Sequence, residues 1–327
     1  MRPSSNVGAR QGRRLHPESI GPLVPGGRAR GPFRGYHGRR DTDHMGRIIV
    51  GMDESPSAAD ALRWAIDEGE HRGWPLTAVM AWGYLDQRHA DNEPFDPDYG
   101  PDDAADTLVR LVERAAPDAA ASIECRAVCD LPARALLEQS AGADLLVVGA
   151  RGYGGFRGLM LGSVSQRCAH HTPVPLAIVR TDATEAVTNR IVVGVDGSNS
   201  SHNALAWALD EARSRHAQLT LVHAWIPAMF GAIEFAAPVL GIETFEATAK
   251  RTVDDALAGC DVDGLAGSVD TAIVEGGAAR AILHAAEGAS LIVVGSHGRG
   301  AVAGMLLGSV SQQVIHHAAC PVVIIPV

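Results

Sequence analysis

The sequence predicts an α/β protein of two tandem domains, each a doubly wound, five-stranded parallel sheet with helices on both faces. Three observations carry this reading. Short continuous apolar runs alternate with helical patterns. The chain repeats itself. A glycine-rich loop recurs at the same place in each copy.

The apolar runs come first. Ile48 to Met52 is a short unbroken apolar run, as a parallel strand buried on both faces should be. A serine-rich turn follows, then a helix near 57–72 with Ala58, Ala61, Leu62, Ala65 and Ile66 on one face. Leu76 to Trp82 reads as a second strand. A polar loop rich in Pro and Asp leads to a helix near 103–116, a strand at Ile123 to Val128 and a helix at 132–141. Leu145 to Val148 is a very apolar fourth strand, followed by a glycine-rich loop, a helix from Ser163 to His171 and a last strand, Val174 to Val179. The second half repeats the layout, with strands near 191–195, 219–225, 269–274, 291–294 and 321–325. Strands alternating with helices imply parallel pairing and right-handed crossovers. Ligands of such sheets bind beyond the carboxyl ends of the strands, where the strand order reverses. That directs attention to Asp53 and Gly149.

The repeat sets the domain boundaries. Arg47 to Asp53 reads RIIVGMD and Arg190 to Asp196 reads RIVVGVD, an offset of 143 that also pairs Trp64 with Trp207 and Trp82 with Trp225. LMLGSVSQ from Leu159 matches MLLGSVSQ from Met305 at an offset of 146, which also pairs His170 and His171 with His316 and His317. The halves therefore run 45–180 and 189–327, with the polar stretch 181–188 as linker. Residues 1–44 hold nine Arg and three acids, about +6, so the rest of the chain carries about −16 of the net −10. This Gly-, Pro- and Arg-rich leader has no apolar period and reads as a disordered basic extension, or as upstream sequence before an initiator at Met45. It lacks the apolar stretch of a secretory signal.

Composition removes several classes. No run of eighteen apolar residues occurs, so no membrane span is expected, and the acidic balance argues against a nucleic-acid partner. The chain has a single lysine, Lys250, in a helical stretch. A Walker A loop and a protein-kinase strand lysine are thereby excluded, and a Schiff base would have to use Lys250. Five cysteines with no CxxC pair read as buried free thiols of a reducing, cytoplasmic compartment, Cys125 and Cys129 sharing one strand face. The histidine pairs fall in a last helical turn, where histidine suits the helix dipole. Neighbours about 100° apart on a helix cannot readily chelate one metal ion, so no metal site is expected.

The loops carry the chemistry. After the fourth strand the first half reads GARGYGGFRGLMLGSVS from Gly149, and the second reads GSHGRGAVAGMLLGSVS from Gly295. Both contain G, two residues, G, nine residues, G-S: Gly149, Gly152, Gly162, Ser163 and Gly295, Gly298, Gly308, Ser309. Glycine lets main chain approach a phosphate and permits φ > 0, and successive amides form an anion nest. The helix start after Gly162 supplies unpaired N–H groups and a favourable dipole. The serine hydroxyls either donate to phosphate or cap the helix, and the glycines either admit a ligand or make turns. Asp53 and Asp196 end the first strands, placed to accept from ribose hydroxyls or to cap the next helix. A G-x-G-x-x-A at Gly298, Gly300 and Ala303 follows the fourth strand rather than the first, and the first half lacks it, so a dinucleotide fingerprint is set aside.

The pattern G-x-x-G-x9-G-[ST], with a strand-end Asp about a hundred residues earlier, resembles the universal stress protein family in its tandem, mycobacterial type. The similarity runs from Met45 to Val327. It implies a Rossmann-like sheet of the adenine nucleotide alpha hydrolase-like kind and, in the ATP-binding branch, one ATP site per half, with or without Mg²⁺. The first would use Gly51, Asp53, Ala81, Gly149, Arg151, Gly152, Gly162, Ser163, Val164 and Ser165. The second would use Gly194, Asp196, Ala224, Gly295, His297, Gly298, Gly308, Ser309, Val310 and Ser311. The family pattern places Ser-His after the first loop glycine, as in Ser296 and His297, where the first half has Ala150 and Arg151. Arg151 there either strengthens phosphate binding or faces solvent. The resemblance further implies pairing through the last strands, within the chain as a pseudo-dimer or between chains as a homodimer. The function expected is an ATP-binding stress-response regulator and no enzyme beyond a weak ATPase. The alternatives are a slow ATPase, a cyclic-nucleotide binder and a ligand-free interaction module.

Overall fold

Each half begins with a strand of β-branched residues buried on both faces and continues as a strand–helix alternation. The computed structural model describes residues 46–83, 99–152, 161–180, 188–226, 242–299 and 307–327, with 242–244 as backbone only. The basic leader, the Pro- and Asp-rich loop at 84–98, the linker at 181–187 and the loop segments 153–160 and 300–306 lie outside these residues. The first half runs β1 (Ile48–Gly51), α1 (Pro56–Arg72), β2 (Leu76–Trp82), α2 (Pro101–Ala115), β3 (Glu124–Cys129), α3 (Pro132–Gln139), β4 (Leu145–Gly149), α4 (Ser163–His171) and β5 (Leu176–Val179). The second runs β6 (Thr188–Gly194), α5 (Asn199–Ser214), β7 (Gln218–Trp225), α6 (Ile242–Ala258), β8 (Asp270–Glu275), α7 (Ala278–Ala285), β9 (Ala289–Gly295), α8 (Ser309–His317) and β10 (Val322–Ile325). Thr188, expected in the linker, opens β6 because its hydroxyl and amide both donate to Gly288 O, at 2.7 and 2.8 Å.

The ten strands of the described residues join one sheet, in the order β3-β2-β1-β4-β5-β10-β9-β6-β7-β8. Pairing is parallel within each half, and the order reverses between β1 and β4, and between β6 and β9. The halves are joined by one antiparallel pair, β5 with β10, registered Ile178 to Val322 and Leu176 to Ile324. The expected intrachain pseudo-dimer is therefore formed. A homodimer through the same strands is corrected: β5 lies between β4 and β10, and β10 between β5 and β9, so neither keeps a free edge. The antiparallel join also points the strands of the two halves in opposite directions, so the carboxyl ends that form their crevices face opposite ways along the strand axis.

One core layer lies under α1, α2, α5 and α6, with Leu62, Leu108, Leu205 and Val253; the other lies under α3, α4, α7 and α8, with Leu136, Cys168, Ile282 and Val314. Burial pushes the Cys168 thiol up to about 12 and the Cys320 thiol up to about 11, so both remain protonated. The cysteines of the chain are free, but only Cys168 and Cys320 are buried; Cys125 and Cys260 are half-buried and Cys129 is exposed, correcting the expectation of five buried thiols. It ends β3, which is an edge strand.

The apolar stripes of α1 and α5 meet across the join around four charges. Glu68 and Glu211 are fully buried. Arg72 Nε binds Glu68 while its Nη2 binds Glu211. Arg215 Nε binds Glu211 while its Nη2 binds Glu68, and its Nη1 reaches Asp67 at 3.1 Å. Each guanidinium thus bridges its own helix to the other. Arg72 lies 4.7 Å over Trp74 and 5.0 Å over Trp207, and Arg215 lies 5.3 Å over Trp64. Charges this deep require such partners, since desolvation would otherwise expel them. Burial, and after it the Glu68 carboxylate, push Glu211 up to about 7. Burial would raise Glu68 too, but Arg72, a hydrogen bond with Glu211 and Arg215 outweigh it and leave Glu68 lowered.

Two outcomes follow for this cluster. Removing one guanidinium, in Arg215→Ala, should cost about 3–5 kcal/mol by denaturant unfolding, because two carboxylates then share one cation. Glu211 keeps its proton to about pH 7 in the folded chain and loses it near 4.5 when unfolded, so its contribution falls as pH rises through that window. Glu211→Gln should therefore gain on the natural chain by on the order of 1–3 kcal/mol between pH 5 and pH 8. A constant difference across that range would refute the assignment.

Candidate functional site

In each half the crevice is built where the first strand ends and the chain turns into a helix. Ser55 caps α1, its Oγ accepting from Ala58 N at 3.1 Å. Asp53 does not cap the helix; its Oδ1 accepts from Ser55 N at 2.9 Å and from the Ser55 hydroxyl. The second half repeats this: Ser198 caps α5 and its N–H donates to Asp196 Oδ1 at 2.9 Å. The capping alternative for the aspartates is thus corrected to the serine two residues on.

One carboxylate oxygen is left facing the glycine loop. A Cβ on Gly152 would stand 2.8 Å from Asp53 Oδ2, and one on Gly298 would stand 2.6 Å from Asp196 Oδ2. Asp196 Oδ2 also accepts from Arg299 N at 2.8 Å. The loop approaches so closely that a Cβ here would push the carboxylate from the position in which the serine orients it. Burial would raise the Asp196 pKa, but bonds from Ser198, the Arg299 amide and Ser201 outweigh it and leave it lowered. Asp196 is therefore an anion and a pure acceptor at neutral pH.

The other loop glycines have separate reasons. A Cβ on Gly149 would lie 2.6 Å from Ser57 Oγ, and one on Gly295 2.8 Å from the Ser200 carbonyl carbon, so strand and helix can meet only over glycine. Gly162 N donates to Ala150 O at 2.8 Å and Gly308 N to Ser296 O at 2.7 Å, which pinches the loop shut at its base. None of these six glycines has positive φ, so close approach rather than left-handed backbone explains them. Gly51 and Gly194 back onto Leu136 and Ile282 of α3 and α7 and form wall rather than donors.

Helices α4 and α8 start at Ser163 and Ser309, with Gly162 and Gly308 as caps, so the serines are not N-caps. The first helical bonds run Gln166 N to Gly162 O and Gln312 N to Gly308 O, both 3.0 Å. The amides of Ser163, Val164 and Ser165, and of Ser309, Val310 and Ser311, consequently have no acceptor within the helix. The Ser163 and Ser309 side chains are exposed at this end. Ser165 and Ser311 are buried, their hydroxyls donating to Ala150 O at 2.9 Å and Gly295 O at 2.6 Å, so they hold the loop base.

Ala81 and Ala224 border the same gap. Trp82 O accepts from Asp130 N beside β3, whereas Val79 O accepts from Met52 N beside β1. Alternate residues of β2 thus serve opposite neighbours, and Ala81 turns its main chain to the β1 side, just past the end of β1 at Gly51. Trp225 O, bonded to Gly276 N, and Val222 O, bonded to Val195 N, place Ala224 likewise.

Arg151 and His297 hold corresponding places. Arg151 is exposed, its amide 3.3 Å from Ser57 Oγ; the His297 amide lies 3.4 Å from Ser200 Oγ, and its Nδ1 lies 3.0 Å from Ser296 Oγ. The histidine pairs end α4 and α8, at the far end of each helix from the loop; burial, and then their neighbouring histidines, lower His170 and His316. Sequence reading overlooked the orienting serines Ser55 and Ser198, whose signal was a serine two residues after each aspartate. It also overlooked the buried His223, whose Nδ1 lies 2.7 Å from Val195 O.

Comparison with known proteins agrees with this architecture. The model of the "Universal stress protein family" matches residues 45–180 and 188–326. Universal stress protein Rv2623 of Mycobacterium tuberculosis is 34% identical over 295 residues, covering 85% of this chain and 95% of its own. Universal stress protein Rv2005c of the same organism is 30% identical over 296 residues, covering 85% and 96%. The crystal structure of a universal stress protein from Archaeoglobus fulgidus DSM 4304 shares the fold, with a TM-score of 0.61 at 21% identity over 86% of this chain and 98% of its own. The chain belongs to the universal stress protein family and carries two of its domains in tandem.

Proposed function

We propose that each half holds one adenine nucleotide, ATP foremost, and that the protein is a nucleotide-dependent stress-response regulator rather than a fast enzyme. One observation carries the reading: in both halves a carboxylate oxygen meets a glycine loop at the strand-end gap, at Asp53 with Gly152 and at Asp196 with Gly298. A ribose placed there offers its hydroxyls to an acceptor already oriented by Ser55 or Ser198. The main chain of Ala81 or Ala224 borders the adenine. The helix-start amides at Ser163–Ser165 and Ser309–Ser311 face the phosphates, where a helix N-terminus favours an anion. No group of three His, Cys, Asp or Glu among the described residues is placed to hold a metal, so Mg²⁺ would arrive on the phosphates. Occupancy shifts a conformational balance that partners read. Free cysteines, with Cys129 at the surface, suit a reducing cytoplasm. In the described residues no helix is long and apolar enough to cross a membrane.

Mass spectrometry of ligand released from purified protein tests the reading, with ATP near two per chain expected. Asp53→Asn with Asp196→Asn keeps an oxygen for each serine but turns the loop-facing atom into a donor; retention should fall by about tenfold per site. Unchanged affinity by calorimetry would remove the aspartates from the site. Cyclic AMP in the released pool would change the ligand. Turnover above about 1 s⁻¹, lost in Gly162→Asp with Gly308→Asp, would make the protein an ATPase. A chain that ignores every adenine nucleotide would be an interaction module.

A further inference from the structure

The peptide that leads into Asp196 is held by two buried side chains. Val195 comes just before the aspartate, and its amide donates to Val222 O at 2.9 Å. The buried His223 on β7 reaches across to the same residue, its Nδ1 2.7 Å from Val195 O. A carbonyl can only accept, so this ring nitrogen carries the proton and donates. On the other side of the peptide, the Asp196 amide donates to Ser201 Oγ at 3.3 Å. Ser201 is buried in the first turn of α5, and its hydroxyl donates in turn to Ser198 O at 2.9 Å. Both polar groups of the Val195–Asp196 peptide are therefore taken by side chains, one from a strand and one from a helix. His223 also stands directly before Ala224, so its bond ties together the two strand ends that flank the gap. At the offset of 143 the first half has Met52, Met80 and Ala58 at these places. The Met52 amide donates to Val79 O at 2.8 Å as the Val195 amide does to Val222 O. Met80 has no N–H to offer the Met52 carbonyl, and Ala58 has no hydroxyl for the Asp53 amide. The cap serines hold the two carboxylates alike, through amides at 2.9 Å. The difference lies in the peptide behind the carboxylate.

We propose that His223 and Ser201 are positioning residues of the second site: by locking the Val195–Asp196 peptide they aim the Asp196 carboxylate at the ribose and set that half's preference for ribose hydroxyls. This rests on the nucleotide reading above. The peptide fixes the direction in which the Asp196 side chain leaves the main chain, and Ser198 fixes its rotation. An acceptor held in place before binding loses less freedom when it takes a hydrogen bond.

A chain with one working half tests this. Gly162→Asp silences the first half, and affinities for ATP and 2′,3′-dideoxy-ATP are then measured by calorimetry on the full chain. His223→Met with Ser201→Ala, the residues of the first half, should lower ATP affinity by about fivefold to tenfold and dideoxy-ATP affinity by less than about twofold. His223→Asn, whose amide nitrogen can stand where Nδ1 does, should keep most of the preference, and Ser201→Ala alone should lose part of it. These two single variants decide the matter if the double variant does not fold. An unchanged ratio, or equal weakening of both nucleotides, would overturn the assignment and leave the site standing. A silenced parent chain that binds no adenine nucleotide, or binds both of these equally, would overturn the underlying reading and this one with it.

Discussion

The antiparallel pairing of β5 with β10 is the constraint on which the rest of the molecule depends. Two five-stranded sheets become one because each terminal strand meets the other with a complementary row of main-chain groups. The pairing relates the halves by an approximate two-fold, so α1 and α5 cover the same face and bring identical residues to one contact. A carboxylate and a guanidinium on one helix face the same pair on the other, and each arginine can bridge both acids. Without the join, each helix would bury a glutamate beside a single arginine.

The crevices follow from a different economy of space. The aspartate after the first strand has two oxygens with separate duties. One holds the serine that caps the following helix; the other faces the loop that follows the fourth strand. The same carboxylate therefore belongs to the scaffold and to the site. The loop base is equally double in purpose, with Ser165 and Ser311 buried as ties while the serines two residues earlier stay at the surface.

Much of this was legible in the sequence. Unbroken apolar runs such as Leu145–Val148 marked interior strands, and two copies of G-x-x-G-x9-G-S marked the loops and the starts of α4 and α8. What was hidden depends on partners distant in the chain. Glu68 and Glu211 are charged residues on apolar stripes, intelligible only once the other helix supplies its arginine. The role of the loop glycines was visible but its cause was not, since close approach to Asp53, Ser57, Asp196 and Ser200 cannot be read from spacing. Cys129 looked interior because a strand pattern does not say whether the strand lies at an edge. The hold of His223 on Val195 needed the fold to lay β7 beside the end of β6.

The order of the ten strands has one more implication. With the terminal strands spent on each other, β3 and β8 are the outermost strands of the sheet among the described residues. Those two ribbons carry Glu124 and Arg126 on one side of the molecule and Asp270 and Glu275 on the other, and much of each is open to water. Ionic side chains on an outermost ribbon discourage a second sheet from docking edge to edge. The two outermost ribbons of this wide sheet thus carry charge where a further strand would have to pair.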